Sequence, residues 1–217
     1  MRVAVLDAIR GSVGTRARRW LLALTLLAGL AVAVALTAAL PAADRTFATI
    51  AGPVQSLMSV AVPLIGILLV ADLRRTPGTS VVTTVLGAVV VAAAVGLAGA
   101  GFCAAALAFA SSEDPWRHAG AIAAAGVPVQ VLAVLVGTGL GMLLPSRLVA
   151  FLGTIVLPLG LWFVLRGVDA QAWLTPYAAA ANLLSGRMTA VMWAQWLVVF
   201  LLWGVGLNVA GAARLRR

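Results

Sequence analysis

The feature that most constrains this chain is a series of six long apolar runs without a charged side chain. The runs cover residues 20–40, 48–70, 80–110, 119–144, 148–165 and 191–212. A helix of about 20 apolar residues crosses the hydrocarbon core of a bilayer, where only helices and closed barrels satisfy all their backbone hydrogen bonds. The sequence therefore predicts an all-α, polytopic membrane protein with six transmembrane helices.

The composition supports this prediction. The chain is 63% hydrophobic and only 10% charged, whereas about a quarter of the residues in a soluble domain are charged. A single soluble core cannot cover so much apolar surface. Cys103 is the one cysteine and His118 the one histidine, so we expect neither an internal disulfide nor a metal site.

The positions of the arginines predict the orientation of the chain. All 15 basic residues are arginine. Eleven of them lie in the N-terminal segment, the second and fourth connections and the C-terminal tail, and four lie in the other connections. Because positive charge accumulates on the cytoplasmic side, we expect a plasma-membrane protein with both termini in the cytoplasm. The first run exceeds the apolar core of a signal peptide, which has about 7–15 residues, so we expect it to be a retained span.

Two segments outside the runs are also predicted to be helical. In residues 1–19, apolar side chains recur at every fourth position beside arginines, which is typical of an amphipathic helix in the membrane interface. Residues 20–217 then form one transmembrane domain. Before the sixth run, Thr175 and Pro176 are typical of a helix start, and the helix predicted for residues 176–185 is too short to cross a bilayer. We expect it to be re-entrant or interfacial.

Small residues predict where helices pack closely. The third run has one at every fourth position, including Ala92, Gly96 and Ala100, and the fourth run contains Gly137 and Gly141. Such faces let two helices approach closely, either within one chain or between two chains.

Several kinds of chemistry are excluded. Without lysine the chain cannot form a complete P-loop, and its carboxylates lie in or next to the connections, where they cannot form a proton relay through the membrane. We therefore expect no enzymatic activity, no cofactor held by this chain and no binding of nucleic acid. The energy for any transport would come from a partner.

Three stretches carry a resemblance to a known family. Residues 69–79 read LVADLRRTPGT, with an acidic residue, two arginines and Gly-Thr after the second run. Residues 139–147 read GLGMLLPSR between the fourth and fifth runs. The third stretch is WLTPY at residues 173–177, before a sixth run that ends in GAARLRR. In this order of features the chain resembles the ABC-2 type permeases, the membrane subunits of ATP-driven exporters, in their actinobacterial form.

The resemblance implies a function and partners. The chain would be the permease of an exporter for an amphipathic or hydrophobic molecule such as a drug, an antibiotic or a lipid-linked compound. It would pair with a second permease, identical or different, and with cytoplasmic ABC ATPase subunits that bind ATP and Mg²⁺. Coupling to the ATPase would involve Arg10, Asp72, Arg74 and Arg75. The second and fifth spans would line the path, through Gln55, Ser56, Met58, Ser59, Phe151 and Trp162.

Two other hypotheses stay open. A non-transporting membrane scaffold, immunity factor or assembly factor needs no coupling loop, and the short connection at residues 72–79 favours it. The short helix before the sixth run favours the permease, because a plain scaffold does not need one. A secondary transporter or channel is disfavoured by the lack of charge within the runs.

Overall fold

The computed structural model describes residues 14–76, 80–111 and 114–216. In these ranges 83% of the residues are helical and no strand occurs. Two short helices, α6 (Ala170–Leu174) and α7 (Pro176–Leu184), precede the last long one. The six helices long and apolar enough to cross a membrane are α1 (Arg16–Ala39), α2 (Phe47–Leu73), α3 (Val81–Ala108), α4 (Ala119–Leu143), α5 (Arg147–Val164) and α8 (Ala190–Leu215). The predicted all-α, six-helix fold is confirmed.

Hydroxyl side chains cap the starts of several long helices. The side chain of Thr15 accepts a hydrogen bond from the backbone N–H of Arg18, so α1 begins at Arg16. The helix therefore begins four residues before the apolar run at residue 20, with a polar first turn. The rest of the interfacial segment, residues 1–13 with Arg10, lies outside the described residues.

The short helix α7 forms where Thr175 and Pro176 predict it. Thr175 accepts a hydrogen bond from the backbone N–H of Ala178 at 3.4 Å, and Pro176 occupies the first helical position. The helix ends at Leu184, and Gly186 then turns the chain with a φ of +69°, a value that favours glycine. A hydrogen bond of 2.8 Å from Trp203 Nε1 to the Leu174 carbonyl ties the residues before α7 to α8.

Helices α2 and α4 form the inside of the bundle and are joined by a buried pair of amides. Gln130 Nε2 donates to Gln55 O and to Gln55 Oε1, both at 2.9 Å. Gln55 Nε2 in turn donates to the carbonyl oxygen of Gly96 on α3, also at 2.9 Å. Both glutamine side chains are almost completely buried. A polar side chain in an apolar interior needs such partners, so the pair fixes α2, α3 and α4 relative to one another.

Glycines allow these helices to approach closely. A methyl group added to Gly137 on α4 would lie 2.7 Å from the Cα atom of Pro63 on α2, and one added to Gly96 would lie 2.7 Å from the carbonyl oxygen of Gly126. Gly141 is also close to α2, and Ala92 and Ala100 on α3 are buried. The small residues named from the sequence thus contact helices of the same chain.

Helix α8 contains a widened turn that the sequence does not predict. Phe200–Gly206 has π-helical hydrogen bonding. Just after it, Asn208 Nδ2 donates to the carbonyl oxygens of Gly204 at 2.6 Å and Leu135 at 2.7 Å. The hydroxyl of Thr138 on α4 completes the group with a 2.7 Å bond to Asn208 Oδ1. The bond to Gly204 gives a carbonyl oxygen of the π turn a side-chain partner, and the other two bonds hold α8 against α4.

Candidate functional sites: a membrane cavity and a charged helix end

A small cavity of about 80 Å³ lies between α2, α4, α5 and α7. The cavity lies next to α7, and Pro176, Tyr177 and Ala180 of this short helix form one of its walls. Three hydroxyl groups and no charged side chain face it. The hydroxyls belong to Ser59, Thr154 and Tyr177. The rest of the lining from α2, α4 and α5 is apolar and comprises Val60, Pro63, Val129, Leu132, Ala133, Val136, Ile155 and Pro158.

The hydroxyl groups have defined hydrogen-bonding roles. Ser59 Oγ donates to the carbonyl oxygen of Ser56, and Thr154 Oγ1 donates to that of Phe151, both at 2.7 Å. Each of these hydroxyls has used its proton and retains acceptor capacity. Burial raises the pKa of Tyr177 above its ordinary value, and its phenol hydroxyl can donate a hydrogen bond.

This arrangement suits a ligand with an apolar body and a few hydrogen-bonding groups. Small-molecule sites are mostly apolar, with a few polar groups that fix the orientation of the ligand. They have volumes of roughly 300–1,000 Å³ for drug-sized molecules. The cavity is smaller than that, so a drug-sized molecule does not fit into it in this conformation.

The structure separates the side chains predicted to line a path on α2. Ser59 lines the cavity. Gln55 is enclosed by its hydrogen bonds to α3 and α4, and Met58 is buried, with its sulfur close to Gly29 and Gly99. Ser56 lies on the exposed surface of α2. A period of about 3.6 residues explains the difference, because neighbouring positions of a helix face different directions.

The two predicted path residues on α5 lie outside the cavity lining. Phe151 is half-buried against the core, and only its carbonyl oxygen is linked to the cavity, through Thr154. Trp162 packs edge-to-face on Phe163 at a centroid distance of 5.2 Å. The lining residues Thr154 and Tyr177 were not among the side chains predicted to line the path. Thr154 follows Phe151 by three positions on one helix face, a spacing that could have indicated it.

The residues predicted to couple to an ATPase lie at the end of α2. The guanidinium group of Arg18 on α1 donates to the carboxylate of Asp72. The Arg18 side chain is 5% exposed and that of Asp72 is 42% exposed. Arg74 Nη2 donates to the carbonyl oxygen of Met142 at 2.8 Å, where α4 ends. Asp72 and Arg74 therefore make contacts within the chain, and Arg75 is exposed.

Comparisons with protein-family models, curated proteins and solved structures find no match to this chain. In the described part of the chain, no group of three or more histidine, cysteine, aspartate or glutamate side chains is placed to hold a metal ion.

Proposed function

We propose that this chain is the membrane subunit of an ATP-driven exporter for an amphipathic or hydrophobic molecule. The observation that supports the proposal is the apolar cavity beside α7, in which three hydroxyls are the polar groups. Such a lining favours a molecule that partitions into lipid and carries hydrogen-bonding groups, and it disfavours an ion or a sugar. The resemblance to ABC-2 type permeases supports a separate cytoplasmic ATPase as the source of energy.

The partner arrangement is part of the same proposal. An ATPase subunit would bind at the end of α2, where the exposed Arg75 offers a charge outside the hydrocarbon core. Charged groups in such a position favour recognition of a soluble partner. A second permease would complete the transporter.

A non-transporting scaffold is the second candidate, and one observation favours it. Asp72 and Arg74 already have partners in the chain, Arg18 and the carbonyl oxygen of Met142. Contacts of this kind join helices and do not require an ATPase. Under this alternative the end of α2 is a structural tie.

A labelling experiment tests the cargo site. The purified chain is irradiated with a long-chain alcohol that carries a diazirine, and the labelled peptides are identified by mass spectrometry. We expect labelling of α5 and α7 next to the cavity, and we expect Ser59→Leu to reduce it severalfold by filling the space. Ser56→Leu is the matched control, because it makes the same change on the exposed face of α2. Equal labelling in the two variants would contradict the proposal.

A further inference from the structure

A second cleft, of about 280 Å³, lies where α2 ends and the chain turns from α4 into α5. Its polar rim consists of three arginines, Arg74 and Arg75 from α2 and Arg147 from the start of α5. The apolar part of the lining comes from the same helix ends and includes Ile67, Ala71, Leu144, Pro145 and Ala150. One cleft thus combines cationic and apolar surface.

None of the described side chains that line the cleft beside the arginines is a carboxylate. Asp72, the acidic residue next to them on α2, binds Arg18 on α1. The first residue of α5 is Arg147, so the positive end of the α5 helix dipole adds to the same region. The lining therefore favours an anion.

The three arginines line the same cleft. The hydrogen bond from Arg74 to the carbonyl oxygen of Met142 fixes one guanidinium group above the end of α4. The backbone of Arg147 is held at the start of α5, after the Ser146 cap. An anion between α2 and α5 would reduce the repulsion among the arginines, and guanidinium groups bind phosphate oxygens with two parallel hydrogen bonds.

The position of the cleft favours a particular anion. It lies at the ends of three helices of membrane-spanning length, and the ends of such helices meet the headgroup region of a bilayer. Half-buried Ala71 and Leu144 and exposed Pro145 offer apolar surface in its lining, next to which an acyl chain can lie. We propose that this cleft binds the phosphate headgroup of an anionic glycerophospholipid. The inference concerns the chain alone and does not rest on the proposed transport function.

Native mass spectrometry of the detergent-purified full chain tests the inference. The ligands are phosphatidylglycerol and phosphatidylcholine with the same acyl chains. We expect tighter binding of phosphatidylglycerol, and about 25-fold weaker binding in the double variant Arg75→Gln with Arg147→Gln, since each arginine near an anionic headgroup contributes about fivefold. Arg74 is kept because it also caps α4. The control, Arg214→Gln with Arg216→Gln, removes two exposed arginines from the end of α8 and should leave the preference intact.

Several results separate the possible outcomes. If the double variant does not fold, Arg75→Gln alone should still weaken binding about fivefold. Equal affinity for the two lipids would overturn the inference, and so would a preference that both double variants reduce equally. Glycerol phosphate without acyl chains is the last ligand tested. If it binds as tightly as phosphatidylglycerol, the cleft is a site for a soluble phosphate compound and the lipid assignment is wrong.

Discussion

Helices α2 and α5 have similar hydropathy and opposite surroundings. The most apolar window of α2 has a mean hydropathy of 2.2, and 56% of its residues are buried. Helix α4 is similar, with a mean hydropathy of 2.1 and 50% of the residues buried. The corresponding values are 1.9 and 17% for α5, and 2.4 and 22% for α1. Hydropathy therefore indicates which segments cross the membrane and says little about which of them lie inside the bundle.

Glycine and amide side chains explain the difference better than hydropathy does. Lipid chains are as apolar as leucine, so burial of apolar surface does not draw helices together in a bilayer, and close packing and hydrogen bonds must do so. Helix α4 has Gly137 against Pro63 and Gln130 against Gln55. In α5, a methyl group added to Gly160 would lie in open space, with no atom of another described helix within 4 Å. An added methyl group should therefore disturb the packing at Gly137 and leave it unchanged at Gly160.

The largest effect is expected for Gly137→Ala. The added methyl group would meet the backbone of Pro63, which cannot move aside like a flexible side chain. We expect a loss of about 3 kcal/mol in the free energy of unfolding, the upper range for overpacking. Gly160→Ala is the matched control and should be neutral or slightly stabilising. Unfolding in mixed micelles with increasing denaturing detergent measures both. Equal stability of the two variants would show that α4 does not touch α2 as described.

A smaller effect is expected when the buried amide pair is broken. Gln55→Leu removes the bond to the carbonyl oxygen of Gly96 and leaves Gln130 without its acceptor side chain. We expect a loss of about 1–2 kcal/mol. The double variant Gln55→Leu with Gln130→Leu should lose less than the sum of the two single variants, because it leaves no orphaned amide. The same unfolding assay measures the coupling, and additive losses would argue against a direct hydrogen bond.

The ion pair between α1 and α2 should contribute less. Arg18→Gln leaves the carboxylate of Asp72 without its cation, but this carboxylate is 42% exposed and water replaces part of the interaction. We expect a loss of about 1 kcal/mol. Exposed Arg19 is the neighbouring control, and Arg19→Gln should change the stability little. If Arg19→Gln costs as much as Arg18→Gln, the loss reflects the charge of this helix end and the specific pair is not the cause.

The smallest effect on stability is expected for Arg75→Glu. Because Arg75 is exposed, its replacement should change the free energy of unfolding by less than about 0.5 kcal/mol. Under the proposed function the same change should weaken the binding of the ATPase subunit, which co-purification from membranes measures. Arg214→Glu at the end of α8 is the control. Equal retention of the ATPase in both variants would remove Arg75 from the coupling interface.

The sequence predicted the spans well because each depends on a local sum of apolar side chains. The start of α7 is also predicted from local sequence, by Thr175 and Pro176, because a helix cap acts within one turn. The lining of the cavity depends on which turn of α2 faces α5. The sequence alone therefore does not separate Ser59, which lines the cavity, from Gln55, Ser56 and Met58, which do not. The contact of Arg18 with Asp72 joins positions 54 residues apart, so no local sequence pattern predicts it. The π turn and its partner Asn208 also depend on a neighbouring helix.

The most direct test of the proposed function is to measure ATP hydrolysis by the proteins that co-purify with the chain. The tagged chain is isolated in mild detergent from the cells that produce it naturally, and vanadate-sensitive hydrolysis is measured across the eluted fractions. We expect the activity to co-elute with the chain and with a separate subunit that has a P-loop, and to be absent from the chain alone, which has no lysine. Hydrolysis by the isolated chain, or the lack of any co-eluting ATPase, would contradict the assignment as an exporter subunit.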